Sequence, residues 1–389
     1  MRNGHRVVVL GAGYAGLVAA KRLARRICPG GASVTLVDAR PEFVERIRLH
    51  QVAAGQAVAA LPLAEVLAGS GARVVVGRVT GVDLAARAVR VGDQEIGYDT
   101  LVYGLGSVTE VDGVPGVAEH AAVLSGPAEA RRLAGRLSAL ADRGGVAAVC
   151  GGGPTGVELA AELAESYPGL AVRLLTRGEP GGWLSPRAAR YLRRRLDRMG
   201  VAVTAGAEVS RVEPDAVALA DGVRVPADLV LWTGGFTVPP LAREAGLAVN
   251  GRGRVLVDQT LRSVSHPEVH AIGDAAAVPG PWGAEIAYGC RSGGFTGPYV
   301  ADAIATRLAG GVPRPFRFRY FHQCLSLGRR AGVIQFVDGA DESPQWMILR
   351  GRIAAGYKEI VCRSSVWLFR HPGPYLPRVL VPPRPAKRP

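Results

Sequence analysis

Lysine is almost missing from this 389-residue chain: it occurs only at Lys21, Lys358 and Lys387, and arginine carries nearly all of the formal net charge of +14. Cysteine is scarce too, with five thiols (Cys28, Cys150, Cys290, Cys324, Cys362) scattered without a Cys-x-x-Cys or any metal-ligand spacing. No metal site is therefore expected, and the thiols read as reduced cysteines of a cytoplasmic protein. No apolar run reaches the length of a membrane span, and only five residues precede the strand at Arg6, too few for a secretory leader. The expectation is a protein made and kept on the cytoplasmic side. Basic stretches with interleaved aromatics are also lacking, which argues against a nucleic-acid partner. What remains is 48% hydrophobic and 21% charged, the composition of a well-buried protein of two or three domains whose positive balance suits anionic cofactors, substrates or membranes.

The most informative stretch is the first. Val7-Val8-Val9-Leu10 runs directly into Gly11-Ala12-Gly13-Tyr14-Ala15-Gly16, a buried strand turning at glycines into a helix over Leu17–Ile27. Such a turn presents bare backbone N–H groups and a helix N-terminus to a pyrophosphate. A second apolar run, Val34-Thr35-Leu36-Val37, ends on Asp38, with Ala39 and Arg40 following. An acid there accepts hydrogen bonds from ribose hydroxyls and repels a 2′-phosphate, so an unphosphorylated adenosine is expected at this site. Residues 41–55 read as a loop with a short helix that packs Arg48, His50 and Gln51 together. A β-meander is expected from Arg73 to Gly97, including Val74-Val75-Val76, and a buried strand then ends in Gly104-Leu105-Gly106-Ser107.

The whole arrangement then recurs. Ala147-Ala148-Val149-Cys150 enters Gly151-Gly152-Gly153-Pro154-Thr155-Gly156, followed by a helix over Val157–Ser166, a strand over Ala171–Leu175, a meander from Val201 to Val225, and a strand into Thr233-Gly234-Gly235. Two dinucleotide folds imply two dinucleotides. Where the first copy has Asp38, the second has Thr176-Arg177, a hydroxyl and a guanidinium that suit a 2′-phosphate, so NADPH is expected ahead of NADH. Later, Ala271-Ile272-Gly273-Asp274 can set one carboxylate against a polyol, and a helix from about Ile286 to Leu308 carries Cys290 and Arg291 near its start. From Pro313 to Val361 alternating strands suggest a smaller α+β domain that packs on the others or forms a homodimer interface. The tail from Arg363 is basic and contains Val366-Trp367-Leu368-Phe369, which suits a membrane interface, but its prolines argue against a long amphipathic helix, so a soluble tail, ordered or frayed, is expected ahead of membrane contact.

The two glycine motifs, the Gly104–Ser107 turn and Gly273-Asp274 occur in the order of the two-dinucleotide flavoprotein family that includes the disulfide reductases. Within it the chain resembles the type II NADH:quinone oxidoreductases and NADH dehydrogenase-like proteins, on Gly151-Gly152-Gly153-Pro154-Thr155-Gly156-Val157-Glu158 and Leu49-His50-Gln51-Val52-Ala53-Ala54-Gly55. The resemblance implies an α/β fold of two Rossmann-like domains, each with a β-meander, plus a smaller C-terminal α+β domain. Residues 1–115 with 241–310 would bind FAD, 116–240 would bind NAD(P)H, and 311–389 would form the third domain. It implies non-covalent FAD on Gly11, Gly13, Gly16 and Asp38, with Asp274 at the ribityl chain. It places a nicotinamide dinucleotide on Gly151, Gly153 and Gly156, with Glu158 near the nicotinamide. Tyr14, Ala15, Ala39, Arg40, Arg48, Gly106, Pro154, Thr155, Thr176, Arg177, Gly234 and Gly273 complete the candidate cofactor set. Two departures stand out: residues 39–60 hold no cysteine, which excludes the dithiol chemistry of the disulfide reductases, and the Ala-Gln pair common in the quinone reductases is replaced by Ala287-Tyr288-Gly289-Cys290-Arg291.

The implied chemistry is a relay in which NAD(P)H gives a hydride to flavin and the flavin passes electrons to a small-molecule acceptor, quinone in the first instance. His50 is the candidate for moving a proton near the acceptor, and Cys290 for lining its pocket. The rival readings are a soluble tailoring flavoenzyme acting on a specific organic substrate and a nucleotide-binding flavoprotein sensor.

Overall fold

The computed structural model describes residues 4–27, 31–318 and 320–372, with the side chains of Cys290 and Arg291 left aside. Cys28 and the tail beyond 372 lie outside the described residues. Two five-stranded parallel sheets organise the chain. The first has the strand order Val269–Ala271, Thr100–Tyr103, His5–Leu10, Ala32–Asp38 and Ala72–Val76. The second repeats it with Ala121–Ala122, Leu229–Trp232, Val146–Cys150, Ala171–Thr176 and Ala202–Ala205. Central strands buried on both faces must be apolar throughout, and Val7 to Leu10 and Ala147 to Cys150 are each at most 1% exposed.

The two meanders are shorter than the sequence suggests. Val79–Asp83, Ala88–Val91 and Gln94–Gly97 form the first, and Val209–Val212, Ala216–Leu219 and Arg224–Pro226 the second. The preceding runs, Ala72–Val76 and Ala202–Ala205, instead pair in parallel with Ala32–Asp38 and Ala171–Thr176 at the sheet edges. An edge strand is half exposed and alternates just as a meander strand does, so periodicity alone assigns it wrongly in both copies.

The C-terminal part differs more. Three antiparallel strands, His322–Ser326, Gly332–Val337 and Pro344–Arg350, are followed by a 20-residue helix, Gly351–Arg370. The expected strand pattern to Val361 and proline-rich tail from Arg363 divide this helix in two. Its prolines begin only at Pro372, beyond the last turn, and Ala354, Cys362 and Phe369 mark one buried face at helical spacing. Among the described residues no helix is long and apolar enough to cross a membrane.

The helix Cys290–Leu308, four residues later in its start than expected, lies across the first helix, Tyr14–Arg26. Contact is close enough that a Cβ on Gly297 would stand 2.3 Å from the carbonyl oxygen of Ala15. Backbone, unlike a flexible side chain, cannot give way there. Gly297→Ala should therefore cost about 1–3 kcal/mol through overpacking, read as a lower thermal unfolding midpoint; an unchanged midpoint would show that the two helices separate freely.

Candidate active site

Each parallel sheet delivers its central strand into a glycine turn that a side chain would block. Gly11 has φ +90°, and a Cβ there would lie 2.4 Å from the Gly104 carbonyl oxygen; Gly151 has φ +127° and the same relation, at 2.8 Å, to Thr233. The helices that follow, Tyr14–Arg26 and Pro154–Ser166, begin at Gly13 and Gly153 with no side-chain cap and no acid in the first turn. By contrast the Pro186–Arg198 helix is capped by the Ser185 hydroxyl, which accepts from the Ala188 N–H. Helix starts with free N–H groups attract anions, and a Cβ on Gly13 or Gly153 would meet nothing within 4 Å. Both cradles fit a pyrophosphate, with Tyr14, Ala15 and Gly16 on one first turn and Pro154, Thr155 and Gly156 on the other.

Asp38 ends its strand where it accepts from the Ala12 N–H at 2.6 Å and the Arg40 N–H at 2.9 Å, so the carboxylate braces the glycine turn. Ala39 and Arg40 are exposed, and the Arg40 guanidinium reaches the Ser125 carbonyl. In the second copy the buried Thr176 hydroxyl is taken by the Gly178 carbonyl at 2.8 Å, which leaves exposed Arg177 as the group able to meet a phosphate. Gly234 lies beside the Trp232 ring at the end of the neighbouring strand.

Asp274 accepts three hydrogen bonds. Gly273 (φ +61°) and Asp274 form a 3-10 turn rather than a helix start, and the long helix begins only at Cys290. The chain nonetheless returns: one Asp274 oxygen accepts from the Gly289 N–H and the Ser292 hydroxyl, both at 2.8 Å, and the other from the Ser107 hydroxyl at 2.7 Å. This carboxylate joins three segments that are distant in sequence, including the positive-φ turn at Gly106. Two arginines that the sequence did not single out complete the surround. Arg46 donates to the Ser107 carbonyl and lies 5.6 Å from the Phe236 ring centre; burial lowers its pKa, opposed by the charge of Asp274. Arg254, 2% exposed, donates to the Asp274 carbonyl and to Glu285 beneath the Tyr288 ring. The Cys290 side chain lies outside the described residues.

A second cluster gathers where the C-terminal helix meets the Leu49–Ala53 helix and the start of Pro154–Ser166. Glu158, 7% exposed, accepts from the Ser326 N–H at 2.8 Å and forms an ion pair with Lys358. Burial, with Arg48 nearby, brings Lys358 down to about 8. His50 is 3% exposed and its Nε2 has no hydrogen-bond partner among the described residues; burial and the surrounding cations hold it neutral, well below its ordinary pKa. Arg48 is held by Glu45, Gln51 and Glu359, and the hydrogen bond from Arg48 draws Glu359 down to about 2. The structure therefore brings His50 and Glu158 into one cluster with Lys358, while Arg48 serves as its clamp. Lys358 was missed; its one signal in the sequence is that it is a lysine in a chain that otherwise uses arginine. Above these residues opens a cavity of about 250 Å³ lined by Gln51, Ser326, Lys358, Glu359 and Cys362, with arginines at its mouth.

Two nucleotide-binding folds in one chain, each with an open helix start, are the frame of an NAD(P)H-dependent flavin oxidoreductase. The chain belongs to the pyridine nucleotide-disulphide oxidoreductase family, whose model matches residues 5–290. It is 29% identical to demethylphylloquinone reductase NdbB of Synechocystis over 94% of this chain and 92% of that protein. It is 29% identical to the type II NADH:quinone oxidoreductase Ndh of Mycobacterium tuberculosis over 93% of this chain and 87% of that one. In fold it is similar to the sulfide:quinone oxidoreductase of Aquifex aeolicus, with a TM-score of 0.80, 19% identity, and coverage of 94% and 92%. The cysteine-free stretch 39–60 sets the chain apart from the dithiol chemistry in the family's name.

Asp274→Ala removes three hydrogen bonds to a charged acceptor, each worth about 1.5–3 kcal/mol. The variant should melt lower and emerge from gel filtration with less bound flavin; a protein as stable and as fully loaded as the parent would contradict the bracing role.

Proposed function

We propose that the chain holds FAD non-covalently in the first fold (residues 1–115 and 241–310) and NAD(P)H in the second (116–240), and that residues 311–389 form the acceptor side, where a quinone-type compound is reduced. The observation that carries this reading is the Lys358–Glu158 pair at the floor of the cavity, beneath a helix whose outer face is apolar. FAD, when bound, supplies the two-electron carrier between nicotinamide and acceptor. The uncapped helix starts at Gly13 and Gly153 bind the two pyrophosphates, and Asp38 holds the first adenosine by its ribose. Asp274 orders Ser107, Gly289 and Ser292 around the ribityl side, and half-buried Arg46 and buried Arg254 add positive charge there. Quinone reduction by NAD(P)H takes up one proton per turnover, and Lys358, protonated below about 8, can donate it from Nζ while Glu158 holds the ammonium in place. His50, neutral and buried, excludes water from that floor. The relatives named for quinone or demethylphylloquinone reduction support this acceptor class.

On the outer face of the C-terminal helix, Ile353, Ile360 and Trp367 are 72%, 68% and 52% exposed at seven-residue spacing, flanked by Arg352, Arg363 and Arg370. An apolar stripe edged with arginine suits peripheral attachment to an anionic membrane, the source of a lipid-soluble quinone. Trp367→Ser should weaken co-sedimentation with anionic vesicles; equal binding by parent and variant would refute the attachment.

Two kinetic tests address the chemistry. The rate of flavin reoxidation by a soluble quinone should fall as pH rises through about 8, where Lys358 loses its proton. Lys358→Gln should flatten that limb and leave flavin reduction by NAD(P)H unchanged, whereas a limb that persists in the variant assigns the proton to another group. At the other site, Arg177→Ala should raise the KM for NADPH and spare NADH. Equal use of both cofactors by the parent would mean that Arg177 only faces solvent.

A further inference from the structure

The cavity above Lys358 is polar at both ends, which a neutral, lipid-like acceptor does not require. At its floor Ser326, 5% exposed, lines the cavity, and its buried hydroxyl has no hydrogen-bond partner among the described residues. At its mouth stand Arg329, Arg330 and Arg352. Arg329 is drawn to Glu359, a carboxylate that already serves Arg48 and Arg363. Arg330 and Arg352 are exposed, and no carboxylate lies within ion-pair distance of either among the described residues. Two uncompensated guanidiniums at one opening form a fork suited to a carboxylate, sulfonate or phosphate. At about 250 Å³ the cavity is small for a ligand site, with room for a one- or two-ring body rather than a long isoprenoid chain.

We propose that this cavity selects acceptors bearing an acidic group, the reducible ring directed to Ser326 and Lys358 and the anion held between Arg330 and Arg352. The proposal rests on the acceptor reading above and narrows it from quinones in general to acidic one- or two-ring quinones. Anionic lipid headgroups share the same chemistry, but the arginines ring a concave mouth instead of continuing along the flat apolar stripe of Ile353, Ile360 and Trp367.

The test uses oxidised holoenzyme, its Arg330→Gln/Arg352→Gln variant, and two probes, 1,4-naphthoquinone-2-sulfonate and 1,4-naphthoquinone, with binding measured by equilibrium dialysis so that turnover is not needed. The sulfonate should bind the parent about tenfold more tightly than the neutral quinone, and the double variant should bring the two within about twofold. Salt at about 1 M, where screening acts within about 3 Å, should do the same to the parent. Equal affinities in the parent, or a preference that survives in the double variant, would overturn the proposal. So would displacement of the sulfonate by ADP-ribose, which would give the cavity to the pyridine nucleotide. A double variant that loses phosphatidylglycerol vesicles yet keeps its sulfonate preference would assign the arginines to headgroups, again overturning it. Arginine-dependent binding of a sulfonate that NAD(P)H then fails to reduce would uphold the anion site and refute the acceptor reading on which it was built.

Discussion

A backbone N–H at the start of a helix must find an acceptor, and at the two glycine turns no side chain of the chain supplies one. Gly13 and Gly153 place no side chain over the first turns that follow them, and neither turn contains an acid to cancel the positive pole. The requirement for a ligand anion is therefore built into the backbone. The rest of each nucleotide-binding fold serves that arrangement: apolar strands bring the turns to the carboxyl end of a parallel sheet, and positive φ at Gly11 and Gly151 lets the neighbouring strand end approach without a clash. The strands beside the two turns end differently, on Asp38 in one copy and on Thr176-Arg177 in the other.

Ahead of the Cys290 helix a carboxylate of the chain itself stands: Asp274 accepts from the Gly289 N–H and the Ser292 hydroxyl, and it reaches Ser107 on a different segment. Electrostatics in the cluster around Lys358 follows from burial. Glu359 is held by three guanidiniums, Arg48 is spent on that clamp, and Lys358 is left against Glu158 with a pKa near 8, within reach of physiological titration. The C-terminal helix supplies both Lys358 and Glu359, so the segment that turns apolar residues outward also completes the charged floor.

Features that depend on local pattern could be read from the sequence: both glycine turns, the internal repeat, Asp38 against Thr176-Arg177, and Gly273-Asp274. Each is fixed by residues within a few positions of one another. Features that depend on pairing over distance could not. Val74-Val75-Val76 is a short apolar run that suits a meander strand or a sheet edge equally, and only its pairing with Ala32–Asp38 decides. The Gly351–Arg370 helix was hidden because the prolines beyond it suggested a tail starting at Arg363. Arg48 looked free for a cofactor until Glu359, on that same unrecognised helix, was placed against it. Glu158 was found by its motif, but its partner Lys358 lies 200 residues later and is joined to it only by the fold.

The central claim is that one chain couples two dinucleotide sites to an acceptor. An anaerobic titration of the purified protein, followed by its visible spectrum, tests this most directly. One equivalent of NAD(P)H should bleach one non-covalent FAD per chain, and one equivalent of quinone should restore the oxidised spectrum with release of the quinol. A folded protein that cannot be loaded with FAD, or a flavin that NAD(P)H leaves oxidised, would contradict the account.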